Sequence, residues 1–105
     1  MRLPSRRVAL SLDEYRILPQ SVSVPAGRIR ITAVNRGILT HNVTIELQRR
    51  DSNGHPVILA DTSTIMPGAT GTVVTPALRP GRYALLSTVS NQADLGMTAT
   101  LVVRR

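Results

Sequence analysis

The chain has 105 residues, with thirteen arginines, no lysine, six acidic residues, no cysteine and a formal charge of +7. That length suffices to bury a core without a metal or disulfide staple, and 42% apolar content is globular rather than disordered. The missing cysteine excludes disulfide frameworks, thiolate nucleophiles, zinc fingers and iron–sulfur clusters together, and leaves the compartment open.

Period-two alternation recurs along the chain, and helical spacing is hard to find. Val8, Leu10 and Leu12 alternate with Ala9, Ser11 and Asp13 and predict a first strand. Residues 21–25 read as a short extended segment, closed by the turn Pro25-Ala26-Gly27. Residues 28–35 give the clearest strand, with Ile29, Ile31 and Ala33 on one face and Arg28, Arg30 and Thr32 on the other. Such a polar face belongs to a half-buried strand of a sandwich. Asn35-Arg36-Gly37 then turns the chain, and Val43, Ile45 and Leu47 alternate with Thr44, Glu46 and Gln48. Asp51-Ser52-Asn53-Gly54-His55-Pro56 is a hairpin-like loop before a short edge strand at 57–60. Pro67-Gly68 precedes a strand at 70–75, Pro80-Gly81 precedes one at 83–87, and 97–103 is the last.

About eight short strands between turn signals predict an all-β, antiparallel sandwich or Greek-key barrel. Composition agrees: Val, Ile and Thr make up 29 of 105 residues, while Glu, Lys and Gln total five. β-Branched side chains lose rotamer freedom in helices and pack well on pleated surfaces. The core must be aliphatic, because Tyr15 and Tyr83 are the only aromatic residues. No repeat, low-complexity tract or linker divides the chain, so residues 1–105 read as one domain.

The charge invites a nucleic-acid or anionic-membrane reading. Sequence-tolerant single-strand binders also need aromatic stacking platforms, which are missing here. The arginines come as separated pairs (Arg6–Arg7, Arg49–Arg50, Arg104–Arg105), and specific nucleic-acid binding is not expected. A basic polyanion-binding domain stays as a second alternative. No stretch approaches the ~20 apolar residues of a membrane span. Asp13 and Glu14 interrupt any signal peptide after Arg2, Arg6 and Arg7. The chain is therefore cytosolic, or is what remains after an export signal or anchor is removed.

Taken alone, His41 shares the inward parity of Val43, Ile45 and Leu47, which is ordinary for a hydrogen-bonded structural histidine. Met97 shares the parity of Ala99, Leu101 and Val103 and reads as core. Their surroundings carry more information. An Asn-x-Gly turn leads to His41-Asn42, followed by a Pro-Gly turn, Gly81-Arg82-Tyr83, a loop ending Gly96-Met97, and a last strand. With Val24-Pro25-Ala26-Gly27 before an Ile/Val strand, this order resembles the cupredoxins, the blue-copper fold of plastocyanin and azurin, over nearly the whole chain.

The resemblance implies a copper held by an early His, a Cys thiolate, a later His and a weak axial Met. Laid on this sequence without gaps, His41 and Met97 occupy the early His and axial Met positions, while Ser87 stands for the Cys and Gln92 for the second His. A serine hydroxyl is a hard, protonated donor, and a glutamine offers at best a neutral carbonyl oxygen. Such a set should hold Cu(II) poorly and cannot give blue-copper electronics, although His41 and Met97 suit weak Cu(I) binding. The favoured expectation is that Ser87 and Gln92 hydrogen-bond His41 and keep this end ordered, with Asn42 tying loops together.

No enzyme signature appears. The histidines lie far apart, His55 reads as exposed, and the six acids read as solvated or paired with Arg. Asn42-Val43-Thr44 matches a glycosylation acceptor but starts a strand, and carries little weight. The expected role is a non-catalytic structural or interaction module with no required cofactor. The family resemblance places it in the periplasm or outside the cell. The family's metal-proximal end docks partners, so Ile38, Leu39 and Leu95 are the candidate patch for another protein. The alternative is an atypical copper or electron-transfer protein using His41 and Met97.

Overall fold

In each long strand one parity of side chains turns inward, and this alternation builds two sheets around an aliphatic core. The computed structural model describes residues 1–105. Its strands are β1 (Arg7–Asp13), β2 (Arg16–Leu18), β3 (Ser21–Pro25), β4 (Gly27–Asn35), β5 (Thr44–Arg50), β6 (Pro56–Asp61), β7 (Thr70–Leu78), β8 (Gly81–Leu86) and β9 (Thr98–Arg104). There is no helix, and hence none long and apolar enough to cross a membrane. One sheet has the order β2-β1-β4-β7 and the other β3-β9-β8-β5-β6. Between them lie nineteen buried apolar residues, among them Leu12, Ile17, Ile29, Ile31, Ile45 and Leu101.

Two expectations need correction. The sheets are mixed rather than antiparallel, because β1 runs parallel to β4 and β3 parallel to β9. The chain crosses between the sheets at five of its eight connections, so neighbours within a sheet are often not hairpin partners. Only hairpins impose antiparallel pairing. The second correction is β2, which was not predicted as a strand; it buries Ile17 completely and pairs Leu12 with it in β1. Strand β7 also runs three residues past its predicted end. Pro76 is tolerated because β7 is an edge strand, and the Thr75 hydroxyl accepts a 3.0 Å bond from the Ile29 N–H beside a register shift.

The registers define two ends. Asn35, Thr44, Leu86 and Thr98 bring both sheets to one end, from which the loops bearing His41, Ser87, Gln92 and Met97 project. At the other end the pairs Gly27↔Leu78, Pro25↔Arg104 and Gly81↔Val103 close the sandwich. Of the thirteen arginines, only Arg16 and Arg36 lie at the His41 end, leaving eleven on the far half. The acids divide oppositely. Asp13, Glu14, Asp61 and Asp94 are at the His41 end, Glu46 is buried between the two, and Asp51 is at the far end. The Asp51 carboxylate accepts the Asn53 and His55 N–H groups of its own hairpin. Pairs that look scattered along the chain are thus gathered in space.

Candidate functional site

The segment between β4 and β5 is held from below by a buried amide. The Asn35 side chain donates to the Leu39 carbonyl at 2.8 Å and the Ile65 carbonyl at 2.9 Å, and accepts from the Gly37 N–H at 2.9 Å. His41 exchanges backbone bonds with Ile65 and is fully buried. The Ser87-to-Met97 loop closes on itself: the Ser87 N–H donates to the Met97 carbonyl at 3.2 Å, and the Met97 N–H to the Gln92 carbonyl at 3.1 Å. The four positions expected from sequence therefore come to one end of the fold, each less than a tenth exposed.

The side chains of three of them, His41, Ser87 and Gln92, are joined by direct hydrogen bonds. Gln92 Nε2 donates to the Thr40 carbonyl at 3.0 Å, which turns Oε1 toward His41 and Ser87. Oε1 accepts from His41 Nδ1 at 2.8 Å and from the Ser87 hydroxyl at 2.7 Å, filling both lone pairs. One hydrogen of His41 is therefore placed on Nδ1. Asn42 Oδ1 accepts the Thr88 N–H at 2.7 Å, while its Nδ2 donates to the Thr88 hydroxyl at 2.8 Å. Asn42 thus ties the two loops together and is 5% exposed, which makes it a poor glycan acceptor. His55 is exposed in its hairpin, as expected.

Glu14 departs from the expectation that the acids are solvated or paired with Arg, which Asp13 meets through Arg16. Instead, Glu14 Oε2 lies 2.5 Å from His41 Nε2, with one hydrogen between them, and Oε1 accepts the Ile38 N–H at 2.8 Å. The Ile38 N–H holds the Glu14 carboxyl below its ordinary 4.5; partial burial opposes this, and His41 and the Leu39 N–H add to it. Gly37 permits the approach, since a Cβ there would overlap the Glu14 carboxylate. Glu46 also departs from expectation: it is buried and accepts from the Thr44 hydroxyl at 2.8 Å.

These residues do not fit a copper ion. Two ligand atoms sharing one metal at bond lengths near 2 Å stand roughly 3 Å or more apart. The Nδ1···Oε1 and Oγ···Oε1 separations of 2.8 and 2.7 Å are hydrogen-bond lengths instead, with hydrogens in between. No buried side-chain nitrogen or oxygen lacks a partner, and nowhere do three His, Cys, Asp or Glu side chains converge. The set carries one imidazole and no thiolate. Above it the surface is apolar: Ile38 is 84% exposed and Leu95 49%, with Leu39 and Met66 also exposed. Met66 was not anticipated; its sulfur accepts the Thr40 hydroxyl at 3.7 Å beside the same loops.

Solved structures match this chain over nearly all its length. An auracyanin from the photosynthetic bacterium Roseiflexus castenholzii, reduced with dithionite, shares 23% identity at a TM-score of 0.84, covering 98% of this chain and 100% of that one. Auracyanin B shares 23% identity at 0.82, covering 98% of this chain and 91% of that one. Auracyanin A, a "blue" copper protein of the green thermophilic photosynthetic bacterium Chloroflexus aurantiacus, shares 19% at 0.77, covering 99% and 100%. No family model and no curated protein matches the sequence. The likeness establishes the fold: the chain is an all-β cupredoxin-fold sandwich.

Proposed function

We propose that this cupredoxin-fold chain holds no copper and acts as a non-catalytic interaction module whose His41 end docks a partner protein, in the periplasm or outside the cell. One observation carries the reading: the polar groups at the ligand positions are spent on one another. His41, Gln92 and Ser87 are linked at 2.7–2.8 Å and buried under loops that expose Ile38, Leu39, Met66 and Leu95. Donors turned inward in this way take no substrate, and clustered exposed apolar residues mark docking surfaces. Asp13, Glu14, Asp61 and Asp94 around the same end suit a partner whose apolar face is rimmed by Lys or Arg. The blue-copper role stated for auracyanin A does not transfer, because Ser87 and Gln92 stand where the thiolate and second imidazole are needed.

Anaerobic Cu(I) and aerobic Cu(II) calorimetry tests the metal half of the proposal. The chain should show no sub-micromolar affinity; such affinity, abolished by His41→Ala or Met97→Ala, would establish an atypical copper carrier instead. For docking, a photo-crosslinker on Leu39→Cys should give one discrete heterologous adduct, lost when Ile38→Asp and Leu95→Asp are added. The same crosslinker on Ile58→Cys, on the β6 edge, should give none. An adduct that survives the double substitution contradicts the assigned surface.

A further inference from the structure

We propose that the arginine-rich end docks on an anionic phospholipid surface, leaving the His41 end turned toward solution. The proposal stands apart from the reading of the His41 end. Arg7 of β1 lies directly opposite Arg30 in the parallel β1–β4 pair, and Arg28 shares the outward face of Arg30 two residues away. Like charges directly opposite on a sheet destabilise it. With Arg6, and with Pro4, Ser5 and Pro25, these side chains line an open cleft of about 470 Å³ that contains no acidic residue.

None of these guanidinium groups meets a carboxylate. The one Arg–carboxylate pair of the molecule is Arg16–Asp13, at the other end. Arg6 reaches only the Ala26 carbonyl, at 3.3 Å. The crowding extends to Arg104, whose guanidinium is held below its ordinary pKa by burial and by Arg2. Guanidinium forks match phosphate oxygens in bidentate geometry, so a phosphate-bearing partner relieves the repulsion and fills the unmet donors.

The disposition of the charge favours a plane over a thread. Arginines reach this end from both sheets: from the starts of β1 and β4, the β5–β6 hairpin, the β7–β8 turn and the end of β9. The cleft holds only four of the eleven arginines of this half, and a layer of headgroups meets the others as well, which a single polymer tracking the cleft does not. Tyr83, the aromatic of this end, is buried with its hydroxyl donating to the Arg79 carbonyl, so no platform stacks bases. The acids at the opposite end complete a charge axis that an anionic plane orients.

The test uses the whole chain and vesicles of phosphatidylcholine with or without about one-third phosphatidylglycerol. Binding should require phosphatidylglycerol and fall steeply by about 0.5 M salt. Replacing Arg6, Arg7, Arg28 and Arg30 with Gln should weaken it roughly a hundredfold or more, while Arg16→Gln with Arg36→Gln leaves it unchanged. Because the chain has no cysteine, single dye labels at Ser5→Cys and Asn91→Cys report orientation without touching the arginines. The Ser5 label should shift to the blue on vesicles and the Asn91 label should not. Absence of vesicle binding, equal shifts at both labels, or retention on duplex DNA or heparin at salt that releases vesicles would overturn the proposal.

Discussion

The hydrogen on Nδ1 of His41 has one acceptor, Gln92 Oε1, and that acceptor is itself oriented by the Thr40 carbonyl. Such chains make single deletions costly. Ser87→Ala removes the second donor to Oε1 and should destabilise the fold by about 1–3 kcal/mol in denaturant titration; a loss near zero would mean that the hydroxyl is not part of the network. Glu14 contributes differently. Its carboxyl lies below its ordinary 4.5, so the folded state binds fewer protons there than the unfolded chain. The stabilisation is complete above that ordinary value and is lost as pH falls through the lowered one. Glu14→Gln should therefore flatten the acid limb of a stability–pH curve, and an unchanged limb contradicts the pairing. Separation along the chain is why Glu14 is illegible in sequence. It is 27 residues from His41, and only the β1–β2 turn brings them together, whereas His41, Ser87 and Gln92 sit at positions that strand parity and motif order expose.

Strand faces could be read and strand partners could not. Alternation is a local property, so Ile29, Ile31 and Ala33 announce the buried face of β4. Nothing in that alternation says that β4 lies parallel to β1 rather than against its neighbour in sequence. Strand β2 escaped notice because three residues cannot display a period, although Ile17 is fully buried. Ile17→Ala should lower unfolding free energy by about 2–5 kcal/mol, as for other fully buried aliphatic truncations. A change under about 0.5 kcal/mol, the range typical of surface substitutions, would show β2 to be peripheral to the core.

Across the whole molecule, two loops and five strand ends convert linear motifs into opposed surfaces, one acidic and apolar around His41, the other lined with arginine. The charge separation was invisible in the sequence because arginine pairs distant in the chain meet only where strands of both sheets end. If the fold keeps the copper-protein frame and has changed only its donors, Ser87→Cys with Gln92→His should yield a coloured Cu(II) protein with an intense thiolate charge-transfer band. A folded, colourless double variant would mean that the Ser87-to-Met97 loop no longer has that frame. Nitrogen-15 NMR of the His41 ring tests most directly whether His41, Ser87 and Gln92 form a closed hydrogen-bonded cluster. A closed cluster requires a hydrogen on Nδ1 whose signal is unmoved by stoichiometric Cu(I). An unprotonated Nδ1, or a signal lost as Cu(I) is added, would contradict it.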